Sequence, residues 1–291
     1  MTLKHHQPEC ILDLRASLGE GPVWIEAEKS LYFVDIVEAR VHRFTPETGA
    51  VKSWTAPKRL GFLLPVNDGT FLAGLVDGLH RFDPKIGEFS AHTEVEPEKP
   101  GNRLNDGCVD PEGRIWFGTM DDGEENDTGS IYRVVHTEDG LSITHHDEGY
   151  TVSNGPAVSP CGKILYVCDS PEQTIFAFDI DAAGNLSGER VFAKISNGYP
   201  DGVVTDSEGT VWCGTWGGAR VSRFRPDGSE LPPIPMPVSN VTKVAFGGDD
   251  LKTVFVTTSR QGLGEDILKN EPQSGALFAF LSDVAGSAQN T

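Results

Sequence analysis

The apolar residues of this chain fall in short runs, either alternating with polar positions or apolar throughout, and Gly, Pro, Asn or Asp breaks each run. That pattern predicts strands and tight turns, because period-two alternation puts one side of a run on a buried face. One unit recurs. A strand ending in a Gly- or Asp-containing turn appears at residues 40–49 (RVHRFTPETG), 78–87 (GLHRFDPKIG), 130–140 (SIYRVVHTEDG), 174–184 (TIFAFDIDAAG), 219–228 (ARVSRFRPDG) and 275–286 (GALFAFLSDVAG). Before each lies a run of β-branched and aromatic residues: 31–36 (LYFVDI), 70–75 (TFLAGL), 114–120 (RIWFGTM), 164–169 (ILYVCD), 210–216 (TVWCGTW) and 253–259 (TVFVTTS). Such residues suit a pleated, half-buried surface. Turn signals at 67–69, 110–113, 159–162, 206–209 and 247–250 precede five of these runs, with Pro presetting the backbone and Gly supplying positive φ. Each unit reads strand, turn, strand, hairpin, strand. The best helical candidate, residues 262–270, predicts at most one short loop helix.

Units of about four strands, repeated every 40 to 50 residues or so, predict propeller blades. The expected fold class is therefore all-β, a six-bladed β-propeller. A β-sandwich also gives many short strands, but not six copies of one unit. The ring has to close, since an unpaired sheet edge invites aggregation. Residues 10–16 (CILDLRA) have strand character and precede the first full unit, so they are predicted to pair with the last blade beside residues 276–281. Residues 1–291 are read as one domain without a linker, as all-β folds of this size often are.

Composition narrows the partners. With 43 acidic and 24 basic residues the net charge is −19. Such a chain repels nucleic acid and anionic membranes, while a neutral substrate or a hard cation is compatible with it. Its 33 glycines and 19 prolines suit many tight turns. The five cysteines, Cys10, Cys108, Cys161, Cys168 and Cys213, are odd in number and contain no CxxC pair. All five are expected to be reduced, in a cytoplasmic protein. Residues 1–9 carry no apolar h-region, so no signal peptide is expected, and no apolar run is long enough to span a membrane.

The first strand of each unit lines the central channel of a propeller, and it is polar where a core strand should be apolar. The polar stretches are Gly19-Glu20-Gly21-Pro22, Arg103-Leu104-Asn105-Asp106-Gly107, Ser153-Asn154-Gly155-Pro156, Pro200-Asp201-Gly202-Val203 and Asn240-Val241-Thr242. The second unit, Phe62-Leu63-Leu64-Pro65, departs from this. Each stretch alone reads as a strand-end cap or Asx turn. Five in register predict a cluster, because a propeller brings comparable inner positions to one axis. Carboxylates and carboxamides crowded at a dry channel mouth repel or stay poorly paired. A bound cation relieves both problems, and the all-oxygen set, without His or Cys, suits a hard divalent ion.

These stretches, in order, carry a resemblance over nearly the whole chain. Leu18 to Pro22, Arg103 to Gly107 followed by Trp116-Phe117-Gly118-Thr119-Met120, Ser153 to Pro156 and Tyr199-Pro200-Asp201-Gly202 resemble the regucalcin and gluconolactonase family of sugar-lactonase propellers. The resemblance implies metal-dependent hydrolysis of a small neutral sugar lactone to the aldonic acid. It implies Glu20, Asn154 and Asp201 as ligands of one divalent cation, whether Ca, Mg, Mn, Zn or Fe. It implies Arg103 and Asn105 as substrate contacts. Many relatives place a substrate-binding Glu shortly after Gly-Thr-Met. Here that stretch reads Asp121-Asp122-Gly123-Glu124-Glu125, which leaves the carboxylate open and looks most like the bacterial pentonolactonases.

Hydrolysis of a cyclic ester passes through an oxyanion that a cation can stabilise. Asp201, a carboxylate at the metal, is the expected catalytic base, with Glu20 as a charge-compensating ligand; the two roles are interchangeable on sequence grounds. Other readings of the same set are a calcium-binding regulatory propeller without turnover, an organophosphate or aryl-ester hydrolase, and a scaffold propeller. Further signals read as structural. His145-His146-Asp147 is expected in a surface loop. Asp179-Ile180-Asp181 is expected in a hairpin turn, because Arg190 stands where a calcium loop needs Glu. His5-His6 is expected in a mobile terminus, and Trp116 and Trp212 in the core. Residues 94–99 are expected in a solvated loop able to serve as a lid.

Overall fold

Successive residues of a strand face opposite sides of its sheet. A run that is apolar at every position must therefore be covered on both faces, and the second strand of each repeated unit is such a run. The computed structural model, which describes residues 3–66, 68–137 and 140–287, meets that demand with six four-stranded antiparallel sheets arranged as a ring of blades. Blade 1 comprises Gly19–Ile25, Ser30–Asp35, Arg40–Thr45 and Ala50–Thr55, and blade 2 Leu60–Pro65, Phe71–Leu75, Gly78–Asp83 and Glu88–Glu94. Blade 3 comprises Asn102–Val109, Ile115–Asp121, Gly129–Thr137 and Gly140–Tyr150, and blade 4 Ser153–Val158, Ile164–Asp169, Thr174–Ile180 and Leu186–Lys194. Blade 5 holds Tyr199–Thr205, Val211–Trp216, Arg220–Phe224 and Glu230–Pro235. Blade 6 holds Val241–Gly247, Thr253–Thr258 and Leu277–Leu281, with Glu9–Leu12 as its outer strand. The first strand of each blade touches those of both neighbours, blade 1 meeting blade 6, so the first strands encircle the axis.

The core is divided among the interfaces between blades. Leu31 and Phe33 join Phe255 and Leu277 of blade 6, while Tyr32 and Val34, one residue out of phase, join Leu63 and Phe71 of blade 2. Leu165 and Val167 likewise pack on Trp116 of blade 3, and Tyr166 and Cys168 on Val203 and Cys213 of blade 5. Among the described residues every adjacent pair of blades shares one such cluster. Each large side chain taken out of water contributes about 1.5–3 kcal/mol. Little of that burial falls on the axis, which is free to be polar.

Closure follows the expected route. Glu9–Leu12 pairs antiparallel with Leu277–Leu281, with Cys10 opposite Phe278. The pairing runs further toward the N-terminus than expected. Leu281 donates to the Lys4 carbonyl and His6 donates back to the Leu281 carbonyl, so His5-His6 lies along the edge of blade 6. The short helix is Glu265–Asn270. His145, His146 and Asp147 correct another expectation. They sit in the outer strand of blade 3, with His146 the extra residue of a bulge, its ring against Trp116. Residues 94–99 are anchored and not wholly solvated, because buried Glu96 accepts hydrogen bonds from Lys99, Asn102 and Tyr132. None of the cysteines is disulfide-bonded, and Cys108, Cys168 and Cys213 are buried. Asn67, Glu138 and Asp139, at predicted turns, lie outside the described residues. Among the described residues no helix is long and apolar enough to cross a membrane.

Two blades share a device that ties turn to core. Asp110 and Asp206 each accept two backbone N–H groups of the following turn on Oδ1. On Oδ2 each accepts the indole N–H of a buried tryptophan, Trp116 or Trp212, at 2.9 Å. Each carboxylate thus partners a buried indole N–H that would otherwise be orphaned, and Asp110 also accepts from Arg114 Nε. Asp206→Ala is expected to lower the unfolding free energy by about 1–3 kcal/mol, the usual cost of leaving buried donors unpaired. A urea titration should show a lower midpoint at unchanged slope.

Candidate active site at the propeller axis

Every first strand breaks step with its neighbour within its first few residues. The register shifts between Glu20 and Val23, Leu60 and Phe62, Leu104 and Gly107, Asn154 and Ala157, Pro200 and Val203, and Val241 and Val244. A bulge inserts an unpaired residue and re-aims its side chain. Here Asn105, Asp106, Asp201 and Lys243 lie inside the shifted segments, while Glu20 and Asn154 occupy the last regular pair before the shift. Gly21 at φ +54° and Gly155 at φ +76° supply backbone conformations these bulges need. Blade 2 provides Gly61 in place of a polar side chain. A Cβ there would stand 1.9 Å from the carbonyl oxygen of Asn105, so Gly61 is what lets the Asn105 backbone approach.

A hydrogen-bonded path crosses three blades. Arg103 donates to Asn105 Oδ1 at 2.7 Å, and Asn105 Nδ2 donates to Asn154 Oδ1 and to the Ser153 carbonyl, both at 2.8 Å. Asn154 Nδ2 donates to Ser170 Oγ at 2.9 Å, and Ser170 donates to the Pro200 carbonyl at 2.6 Å, next to Asp201. Both amide hydrogens of Asn105 are thus committed to blade 4. Arg103 also donates from Nε to Asp122 Oδ1 at 2.9 Å, and Asp122 takes a second, two-pronged contact from Arg59 of the segment entering blade 2. The acidic loop therefore turns Asp122 toward Arg103, whereas Asp121 accepts from the N–H groups of Glu125 and Asn126 and closes its own loop.

Glu20, Asn105, Asn154 and Asp201 are each more than nine-tenths buried. Glu20 Oε2 accepts the N–H of Gly21, and Oε1 is buried with no hydrogen-bond partner. Burial, then the Asp106 carboxylate, pushes the Glu20 carboxyl up to about 8, against opposing pulls from Lys243, the Gly21 N–H and Asp201. Burial, then Glu20 and Asp106, also pushes Asp201 well above the usual carboxylate range. The two carboxyls act on each other, Glu20 raising Asp201 and Asp201 drawing Glu20 down. Without a proton or a cation between them they repel in a medium that screens poorly.

The sixth blade differs from expectation. Asn240 spends its carboxamide on the Gln261 carbonyl, and Thr242 donates to the Gly19 carbonyl. The side chain this blade sends to the axis is Lys243, paired with Asp106 at 2.6 and 2.7 Å. Burial alone would lower the lysine, but Asp106 and Glu20 outweigh it and hold the ammonium charged. Sequence reasoning passed over Asp106, quoted only as part of a motif, left Asp122 undistinguished among the carboxylates of its loop, and missed Lys243, Arg59 and Ser170. Lys243 had a readable signal, a lone charge inside the apolar run Val241–Gly247.

Among the described residues no three His, Cys, Asp or Glu side chains gather as a metal-holding group. The donor set is two carboxylates and a carboxamide. It fits a hard cation on two grounds: an orphaned, buried carboxylate oxygen on Glu20, and an Asn154 oxygen whose second lone pair is free of the Asn105 bond.

Known proteins share this architecture. Residues 18–260 match the SMP-30/Gluconolactonase/LRE-like region. The chain is 36% identical to the 6-deoxy-6-sulfogluconolactonase of Pseudomonas putida, covering 97% of each protein. It is 35% identical to the L-arabinolactonase of Azospirillum brasilense, covering 97% of this chain and 94% of that one. A calcium-binding protein, regucalcin, from Agrobacterium tumefaciens superposes with a TM-score of 0.91 at 28% identity, over 100% of both chains. A match spanning most of the chain, joined to lactonase relatives aligned nearly end to end, makes this protein a member of the SMP-30/gluconolactonase family.

Proposed function

We propose that this chain hydrolyses a neutral sugar lactone to the open aldonic acid, using one divalent cation held by Glu20, Asn154 and Asp201. The observation that carries this reading is the buried, unpartnered Glu20 Oε1, on a carboxyl that interacts with Asp201, together with the Asn154–Asn105–Arg103 path. The sugar-lactonase relatives support the substrate class, and the regucalcin neighbour supports the cation. The unpaired cysteines fit a reducing cytoplasm.

When bound, the cation supplies Lewis-acid polarisation of the lactone carbonyl. Asp201 removes a proton from the attacking water, which adds to the carbonyl carbon to give a tetrahedral oxyanion, and collapse of that oxyanion breaks the ring C–O bond. The proton returns to the departing ring oxygen, giving one carboxylic acid and one hydroxyl. Burial and Glu20 raise the proton affinity of Asp201 in the metal-free protein, and a bound cation would pull it back down and keep the carboxylate ionised as a base. Glu20 compensates charge, and Asn154 adds a neutral oxygen. Arg103 Nε and Nη1 are engaged within the protein, while Nη2 donates to no protein atom among the described residues and is aimed to serve a ring hydroxyl or the nascent carboxylate. Asn105 acts mainly by holding Arg103 and Asn154 in place, with one Oδ1 lone pair left for substrate.

Asp201→Asn and Glu20→Gln are each expected to cut kcat by about 10²-fold or more, the scale of general-base and charge-stabilising terms. Their melting temperatures in the stripped state should hold or rise above neutral pH, where the wild-type carboxyls must ionise in a buried site and the amide need not. Retention of most of the wild-type kcat in either variant would refute the assignment. The second test strips the protein with chelator, reloads Ca, Mg, Mn, Zn or Fe singly, and follows acidification of a weak buffer over a lactone panel. Stripping should abolish turnover and one metal should restore it. At 100 times its Kd the restoring metal should add about 2.7 kcal/mol, or roughly 5–10 °C in melting temperature. A stripped enzyme at full speed overturns the metal reading. A protein that binds cation but opens no lactone is a calcium-binding propeller instead.

A further inference from the structure

Blades 3 and 6 stand opposite each other in the ring, and one contact joins them across the axis. Lys243 reaches from blade 6 to the carboxylate of Asp106 on blade 3, with Nζ 2.6 Å from Oδ1 and 2.7 Å from Oδ2. A third, longer contact goes to the Gly107 carbonyl at 3.4 Å. Lys243 is 4% exposed and Asp106 2%. The stem of the lysine lies along Gly202, the residue after Asp201. A Cβ on Gly202 would stand 2.3 Å from Lys243 Cγ and 2.5 Å from its Cβ and Cδ, so a glycine there is what gives the lysine its route to the axis. Beyond the pair the channel opens toward the other end of the ring into a cavity of about 320 Å³, lined by Val23, Leu64, Val109, Val204 and the lysine itself. None of Glu20, Asn105, Asn154 or Asp201 lines that cavity.

The charges at the axis select among roles for this pair. Glu20, Asp201 and Asp106 are three buried carboxylates that act on one another, and Lys243 is the cation acting on all three. Three carboxylates and one ammonium leave two negative charges, which one divalent cation cancels. Without the lysine the cluster would carry a third negative charge; without Asp106 the ammonium would stand beside the cation it must share Glu20 with. We propose that Lys243 is a tethered counter-cation for Asp106, a positioning residue that sets the charge of the axial site so that a single divalent cation neutralises it. This rests on the cation reading of Glu20, Asn154 and Asp201 and adds to it what fixes the charge they present. It also explains a lysine in a strand that otherwise needs apolar residues.

The test is equilibrium dialysis of chelator-stripped protein against Mn²⁺ alone, with melting temperature recorded beside it. Asp106→Asn leaves the ammonium unbalanced, and Mn²⁺ binding should weaken on the order of tenfold or more, as expected for an uncompensated charge a few ångströms away. The double variant D106N/K243M restores the net charge, and its Kd should return to within about threefold of wild type, a non-additive rescue that a merely structural plug would not give. If Asp106→Asn does not fold, Lys243→Met carries the test: it should bind Mn²⁺ at least tenfold more tightly or take up a second equivalent. A double variant as weak as D106N, or K243M binding one equivalent at the wild-type Kd, overturns the role of Lys243 alone. Wild-type protein that takes up no Mn²⁺ overturns the cation reading itself, and this proposal with it.

Discussion

Two carboxyl groups, Glu20 and Asp201, are buried within reach of each other at the end of the propeller axis, and the folded chain neutralises only part of their charge. That arrangement costs free energy unless something positive arrives, since like charges in a poorly screened interior repel strongly. The surrounding groups limit the cost. The Gly21 N–H caps one oxygen of Glu20, and the path from Arg103 through Asn105 and Asn154 to Ser170 fixes the neutral donors beside the pair. What remains is a buried acidic pair whose charge the surrounding groups only partly offset.

Such a cluster is tolerable because the fold draws its stability elsewhere. The apolar cores lie between adjacent blades, away from the axis, and the six interfaces close into a ring. Each blade is held on both faces, so the first strands are pinned by their neighbours while their bulged segments remain free to carry polar side chains. The rim of the site has its own scaffold. Asp122 gathers Arg59 and Arg103 from two blades, which couples the loop after blade 3's second strand to the Arg103–Asn105–Asn154 path. The acidic loop thereby gains a physical role: one carboxylate orients arginines and the other closes the loop.

The repeat was legible because both-sided burial leaves a trace in composition. Runs such as Leu-Tyr-Phe-Val and Ile-Leu-Tyr-Val, six times over with turn signals between, admit few arrangements other than stacked sheets in a ring. The closing strand was legible for the same reason, since an open edge has to be covered. Glu20, Arg103, Asn105, Asn154 and Asp201 stood out as polar residues in strands that should be apolar, and comparable position in a repeat is enough to bring them to one axis.

What the linear chain left open was set by contacts between residues far apart in it. Asn240 shared the repeat position yet turned its amide to a loop carbonyl, while Lys243, three residues on, reached the axis and found Asp106 on the opposite blade. His145 to Asp147 became strand, and His5-His6 became sheet edge, because their partners come from other segments. Alternation along a strand predicts which face a side chain takes, and a bulge resets that alternation. Sequence by itself therefore determined the ring and the residues that could meet at its centre. Tertiary structure decided which of them face each other, because a one-residue bulge, legible only in the pairing of two strands, chooses the side on which each charge emerges.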